Sequence, residues 1–199
     1  MCVSWPNRIT VLRLLLVPVF ILLVLSAAES AAYRYAALGL AVALGVCDAA
    51  DGILARRTGA VTRIGSILDP LADKALMISA VVLLSFEGIL STEHPSLRLP
   101  YWVSVTIVSR DLFILVGSGV LFLLIGVFRA LPSASGKAAT VVQFILIAAM
   151  LASPDLVRWF PSATWYGLYG IWGVTVLLGV ISWLGYLRTG SKLLSAGGH

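Results

Sequence analysis

Apolar runs of bilayer-spanning length, separated by short polar turns, limit this chain to one kind of architecture. Several of the runs reach the roughly 18–20 residues that a spanning helix requires. Of 199 residues 60% are hydrophobic and only 12% charged, and the mean hydropathy of +1.01 is far above that of a soluble globular protein. The length suits one domain. The expected fold is therefore all-α: a single polytopic membrane domain over residues 1–199 with six transmembrane helices.

Residues 1–10 form an interfacial lead-in, with Trp5, Pro6 and Arg8 near the headgroups. The spans are expected at about residues 11–28, 33–56, 65–90, 101–127, 137–151 and 163–187. Polar connections fall at residues 57–63, 91–100 and 131–136, and a turn at residues 154–161 carries a proline at each end. Arg8 and Arg13 ahead of the apolar residues 14–28, with Ser26-Ala27-Ala28 after them, imitate a signal peptide. The expectation is instead an uncleaved first helix, because the apolar stretch begins at Val11 and further spans follow closely. Cys2 and Cys47 lie far apart with no framework spacing, so no structural disulfide is expected.

The net charge of +5 and pI of about 9.6 would hint at nucleic acid in a soluble protein. Here the basic residues collect at the expected helix ends, which fits membrane topology and anionic lipid headgroups and gives no sign of nucleic-acid recognition. With both termini cytoplasmic, Arg8, Arg13, Arg56, Arg57, Arg63, Lys74, Arg129, Lys137, Arg188 and Lys192 fall inside, ten in all. Only three, Arg34, Arg98 and Arg158, fall outside, and Arg110 lies within the fourth span. That bias sets the orientation.

Against this apolar background, four carboxylates crowd into the 26 residues from Asp48 to Asp73. Asp48 and Asp51 are three apart, Asp69 and Asp73 four apart, so each pair shares a helix face. A short loop makes the second and third helices antiparallel neighbours, and their acids converge on one cavity at the cytoplasmic end. Unpaired carboxylates in a bilayer cost several kcal/mol on most scales and need a compensating cation. Four acidic oxygen donors suit a hard divalent ion, Mg²⁺ or Mn²⁺, with room for two. Two such ions clamp the oxygens of a phosphoryl group undergoing displacement. Gly52, Ala55 and Gly65 leave space beside the acids, and Arg56 offers a fork for a phosphate oxygen. Small-residue helix packing explains the glycines equally well but not the acids.

These residues resemble the signature of the CDP-alcohol phosphotransferases, D-x2-D-G-x2-A-R-x8-G-x3-D-x3-D. All eight specified positions are present with intact spacing: Asp48, Asp51, Gly52, Ala55, Arg56, Gly65, Asp69 and Asp73. The opening Pro6-Asn7-Arg8-Ile9-Thr10-Val11-Leu12-Arg13 with Pro18 is similar to the phospholipid-making branch, as are Leu68 to Lys74, Arg110-Asp111 and Gly136-Lys137-Ala138-Ala139-Thr140. The resemblance implies six transmembrane helices, a homodimer, two divalent cations, and displacement of CMP from a CDP-linked donor such as CDP-diacylglycerol by an alcohol. It makes Asp48, Asp51, Asp69 and Asp73 metal ligands and Asp73 also the general base on the acceptor hydroxyl. Gly52, Ala55, Arg56 and Gly65, with Asn7 and Thr10, then belong to the CDP-donor site. The expected location is a bacterial inner membrane, with the active site facing the cytoplasm.

The acceptor rests on sparser residues. Arg110 beside Asp111 in the fourth helix either lines the site or is a buried ion pair holding the bundle together. Lys137 either snorkels to the headgroups or holds a substrate phosphate. Thr140 completes this candidate acceptor set. Relatives that use glycerol 3-phosphate carry G-K-x-K-T, and this chain lacks the second lysine. No basic residue occurs from Leu112 to Phe128, although a dianionic acceptor wants more positive charge. Ile107-Val108-Ser109-Arg110-Asp111 and Thr140-Val141-Val142-Gln143 look more like the cardiolipin synthases of this fold, whose acceptor is phosphatidylglycerol. The unrelated H-x-K type is excluded because only His94 and His199 exist. Phosphatidylglycerol is the expected acceptor, and glycerol 3-phosphate the alternative. A cation-coupled transporter fits poorly, since its acids would lie near the midplane in broken helices.

Overall fold

Apolar helices that cannot hide all their surface dictate the packing. The computed structural model describes residues 5–58, 65–125 and 134–196, with side chains described at residues 12, 14–46, 74–117, 119 and 135–188. Six helices and no strands occur among the described residues: α1 (Trp5–Leu25), α2 (Ala31–Thr58), α3 (Gly65–Leu83), α4 (Tyr101–Ile125), α5 (Ala134–Trp159) and α6 (Pro161–Ala196). The all-helical expectation is met. Two helical stretches among the described residues, Ser135–Trp159 and Pro161–Arg188, are long and apolar enough to cross a membrane. Exposed apolar side chains repeat at helical spacing: Leu15, Val19 and Leu22 on α1, and Val174, Leu177, Ile181 and Leu184 on α6. Polar and charged groups such as Arg110, Asp111, Gln143 and Ser182 are buried instead. Apolar outside and polar inside is the distribution of a bundle surrounded by lipid.

The core gathers Phe20 and Val24 of α1, Ala37 and Ala41 of α2, Met77 and Val81 of α3, Leu146, Ile147 and Met150 of α5, and Trp172 of α6. α1 packs against α2 and α3, α5 against α2, α3 and α6, and α4 against α3 and α6. The expected approach of the second and third helices falls on residues 47–73, whose side chains lie outside the described residues; within the described ones α1 and α5 each touch both helices. Side-chain size gives a reason. Ala37, Ala41 and Gly45 recur every fourth residue on α2, and a Cβ at Gly45 would stand 3.1 Å from the Phe144 ring of α5. That small-residue stripe admits α5 closely.

Several boundaries differ from the sequence expectation: α1 already begins at Trp5, within the expected lead-in, and closes at Leu25, α6 continues to Ala196, and the ends of α5 and α3 also move. α5 runs through Pro154 to Trp159 instead of ending near residue 151. Proline lacks the N–H that would bond to the Met150 carbonyl. The Ser153 hydroxyl replaces it, donating to Met150 O at 2.6 Å. The chain then reverses at Phe160, and Pro161 opens α6 at the position where a missing N–H costs least.

α3 stops at Leu83 instead of about residue 90. Gly88 turns the chain with a left-handed φ of 72°. The Leu99 N–H then donates to Leu84 O at 2.7 Å, closing the segment back on the end of α3. Leu84, Leu90, Leu97 and Leu99 are fully buried, so the connection expected to be polar caps this end of the core. At the same end the Arg34 guanidinium donates to Asp155, joining the start of α2 to the end of α5, and Tyr35 Oη donates to the same carboxylate oxygen at 2.8 Å.

Candidate functional site

α2 runs unbroken through Asp48, Asp51, Gly52, Ala55 and Arg56, and α3 begins at Gly65 and carries Asp69 and Asp73. Asn7 and Thr10 fall in the first turns of α1. The side chains of these ten residues lie outside the described residues. The backbone nonetheless establishes that each aspartate pair sits on continuous helix, one turn apart. As a donor set, four carboxylates match a hard divalent cation and no soft one. Among the described side chains, no group of three or more His, Cys, Asp or Glu could hold a metal.

The described side chains next to this signature form one buried polar network. Its centre is Asp111 on α4, which is fully buried. Lys74 on α3, the residue following Asp73, donates to Asp111 Oδ1 at 3.0 Å. Arg110 donates to the same oxygen at 2.6 Å. Gln143 on α5 donates to Oδ2 at 3.3 Å. The Arg110 guanidinium also reaches the Ser182 hydroxyl of α6 at 3.1 Å and the Gly136 carbonyl of α5 at 3.3 Å. Four helices thus meet on one acid and its neighbouring arginine. Burial of these charges is tolerable only because they are paired and hydrogen-bonded.

Of the candidate acceptor residues, Arg110 is buried and committed to this network, Thr140 donates to Gly136 O at 3.1 Å, and Lys137 is exposed. Arg110 and Thr140 share the Gly136 carbonyl, so the structure brings them together one turn from the start of α5. A cavity of about 10 Å³ lies between α4, α5 and α6, lined by Thr106, Arg110, Gln143 and Thr175 among others. Arg110 Nε and Gln143 Oε1 are buried with no hydrogen-bond partner among the described residues, and a space of this size matches one water. Sequence reasoning marked Arg110 and Asp111 but gave no site role to Lys74, Gln143 or Ser182. The signal for Lys74 was its adjacency to Asp73 and the need of a buried Asp111 for a cation. Nothing local pointed to Ser182.

With this geometry established, comparison with known proteins is decisive for the family. The sequence pattern of the CDP-alcohol phosphatidyltransferase family matches residues 3–184. The chain belongs to that family.

Relatives within it carry two kinds of name. A Mycobacterium tuberculosis protein named "Probable phosphatidylglycerophosphate synthase" is 37% identical over 145 residues, covering 71% of this chain and 62% of the relative. A Pseudomonas fluorescens protein named CDP-diacylglycerol–glycerol-3-phosphate 3-phosphatidyltransferase is 32% identical, covering 98% and 93%. A Streptomyces coelicolor protein named cardiolipin synthase (CMP-forming) is 32% identical, covering 58% and 50%. The chain spans about 62% of the length of the mycobacterial relative it matches. Membership in this family of membrane enzymes, with two apolar helices of spanning length, associates the chain with a membrane.

Proposed function

We propose that the chain is a six-span inner-membrane enzyme that transfers a phosphatidyl group from CDP-diacylglycerol to phosphatidylglycerol, releasing CMP and forming cardiolipin. Its signature faces the cytoplasm, as the distribution of basic residues supports. Asp48, Asp51, Asp69 and Asp73 would hold two divalent cations, Mg²⁺ or Mn²⁺, and the protein would work as a homodimer. Bound there, such cations would supply positive charge to offset the negative charge of the leaving CMP. Arg56 steadies a donor phosphate, and Gly52, Ala55 and Gly65, with Asn7 and Thr10, give the nucleotide close access to the backbone. Asp73 accepts the proton of the acceptor hydroxyl as its oxygen bonds to the lipid-bearing phosphorus. The bond from that phosphorus to the bridging oxygen breaks, and CMP leaves with the electron pair.

The observation that carries the acceptor choice is the pairing of Arg110 with Asp111. Lys74 and Arg110 share one fully buried carboxylate, so one of their two positive charges is already offset inside the bundle. Lys137 is then the exposed cation on the described part of α5 nearest this network. One such lysine suits the single diester charge of phosphatidylglycerol better than the dianion of glycerol 3-phosphate. Glycerol 3-phosphate remains the second reading, favoured by the name of the Pseudomonas relative that covers nearly the whole chain. Asp73→Asn tests the proton-transfer role: the variant should still bind CDP-diacylglycerol and lose CMP release. Retained turnover would overturn the assignment.

A further inference from the structure

Asp111 has an over-determined carboxylate. Among the described residues, three donors from three helices fix its two oxygens: Lys74 and Arg110 on Oδ1, Gln143 on Oδ2. Arg110 is itself braced by Ser182 and Gly136, so α4, α5 and α6 are tied together around this acid before α3 is considered. α3 joins through Lys74, the residue that follows Asp73.

We propose that Asp111 is a positioning residue for the divalent-cation site, acting through Lys74 to set the rotation of α3. This rests on the reading of Asp48, Asp51, Asp69 and Asp73 as metal ligands. Successive helix positions are about 100° apart, so pinning position 74 to α4 fixes the direction of the face carrying positions 69 and 73. A side chain ends about 5–6 Å from its helix axis, and turning α3 by about 20° would carry such a group through about 2 Å. Metal–ligand distances tolerate only about 0.2 Å. A lysine free to choose among water and headgroups could not supply that control. One held at 3.0 Å by a carboxylate with no solvent exposure can. The arrangement parallels the outer-sphere partners that orient ligands in other metal sites, whose loss weakens metal binding by about 10–100-fold.

Mn²⁺ binding to the detergent-purified full chain tests this without reference to turnover, by the loss of the free Mn²⁺ EPR signal on titration. Asp111→Asn and Lys74→Met should bind Mn²⁺ about tenfold more weakly than the unaltered chain. Lys74→Arg, which keeps a donor for Asp111, should restore binding close to the original value. Thermal unfolding in the same detergent identifies folded variants. If Asp111→Asn does not fold, Lys74→Met carries the test, because the Lys74 side chain is 16% exposed and can reach water when altered. The proposal is overturned if a folded Asp111→Asn or Lys74→Met binds Mn²⁺ as the unaltered chain does. It is equally overturned if Lys74→Arg binds as weakly as Lys74→Met, or if the unaltered chain takes up no Mn²⁺. Mn²⁺ uptake with the predicted variant pattern but no CMP release would sink the proposed reaction and leave this inference standing.

Discussion

Removing one hydroxyl from α5 should reveal how the helix that carries Gly136, Lys137, Thr140 and Gln143 survives its internal proline. Ser153 and Met150 are both fully buried, and the Ser153 hydroxyl is the donor found for Met150 O at 2.6 Å. Ser153→Ala leaves that carbonyl without a partner, at a gross cost of about 1–3 kcal/mol. Losing the buried hydroxyl itself returns part of this, for a net of about 1–2 kcal/mol. For a chain of this size the melting temperature should drop by about 3–6 °C, measured by circular dichroism in one detergent. Pro154→Ala restores an N–H that can reach Met150 O. It should therefore stabilise the Ser153→Ala background more than the original one, with a coupling of about 1 kcal/mol. An unchanged melting temperature for Ser153→Ala, or strictly additive effects in the cycle, would refute the reasoning.

Other outcomes follow from the same structure. Gly88 has a φ of 72° and nothing within 4 Å of an added Cβ, so Gly88→Val should cost about 1–2 kcal/mol from backbone strain alone, and Gly88→Asn less, both read from melts. Asp155→Ala strands the buried Arg34 guanidinium and should cost about 1–3 kcal/mol, the 40% exposure of Asp155 holding the figure down. Arg34→Met removes the buried charge itself and should be milder; the reverse order in unfolding experiments would contradict this account of the clamp. Stripping divalent cations with EDTA should abolish CMP release, and added Mg²⁺ or Mn²⁺ should restore it. Activity that persists in the chelator would count against the metal reading.

The fold was legible in the sequence wherever one local signal governed. Six apolar stretches became six helices in the expected order, and the Arg110-Asp111 pair proved to be buried in α4. It was not legible where a remote or compensating group decided. Pro154 looked like a stop because its missing N–H is visible in sequence, whereas the Ser153 hydroxyl that replaces it matters only once the helix exists. The length of α3 was overestimated because Leu84 and Leu90 continue its apolar character, while Gly88 and the Leu99–Leu84 bond fold the segment back. The packing of α2 on α5 was likewise hidden, because the Ala37–Ala41–Gly45 stripe acquires meaning only against the remote Phe144 ring. At the site, the signature was readable from spacing alone. Its neighbours were not, because Lys74 and Asp111 are 37 residues apart, and Arg110 and Ser182 are 72 apart.

CMP release from CDP-diacylglycerol tests the central claim most directly. The purified full chain would be assayed with Mg²⁺ or Mn²⁺ in three arms: phosphatidylglycerol, glycerol 3-phosphate, and no acceptor. The predicted result is CMP release with phosphatidylglycerol, matched by cardiolipin formed in equal amount, and only the background level in the other two arms. Release driven by glycerol 3-phosphate alone would contradict the acceptor, and no release in any arm would contradict the reaction itself.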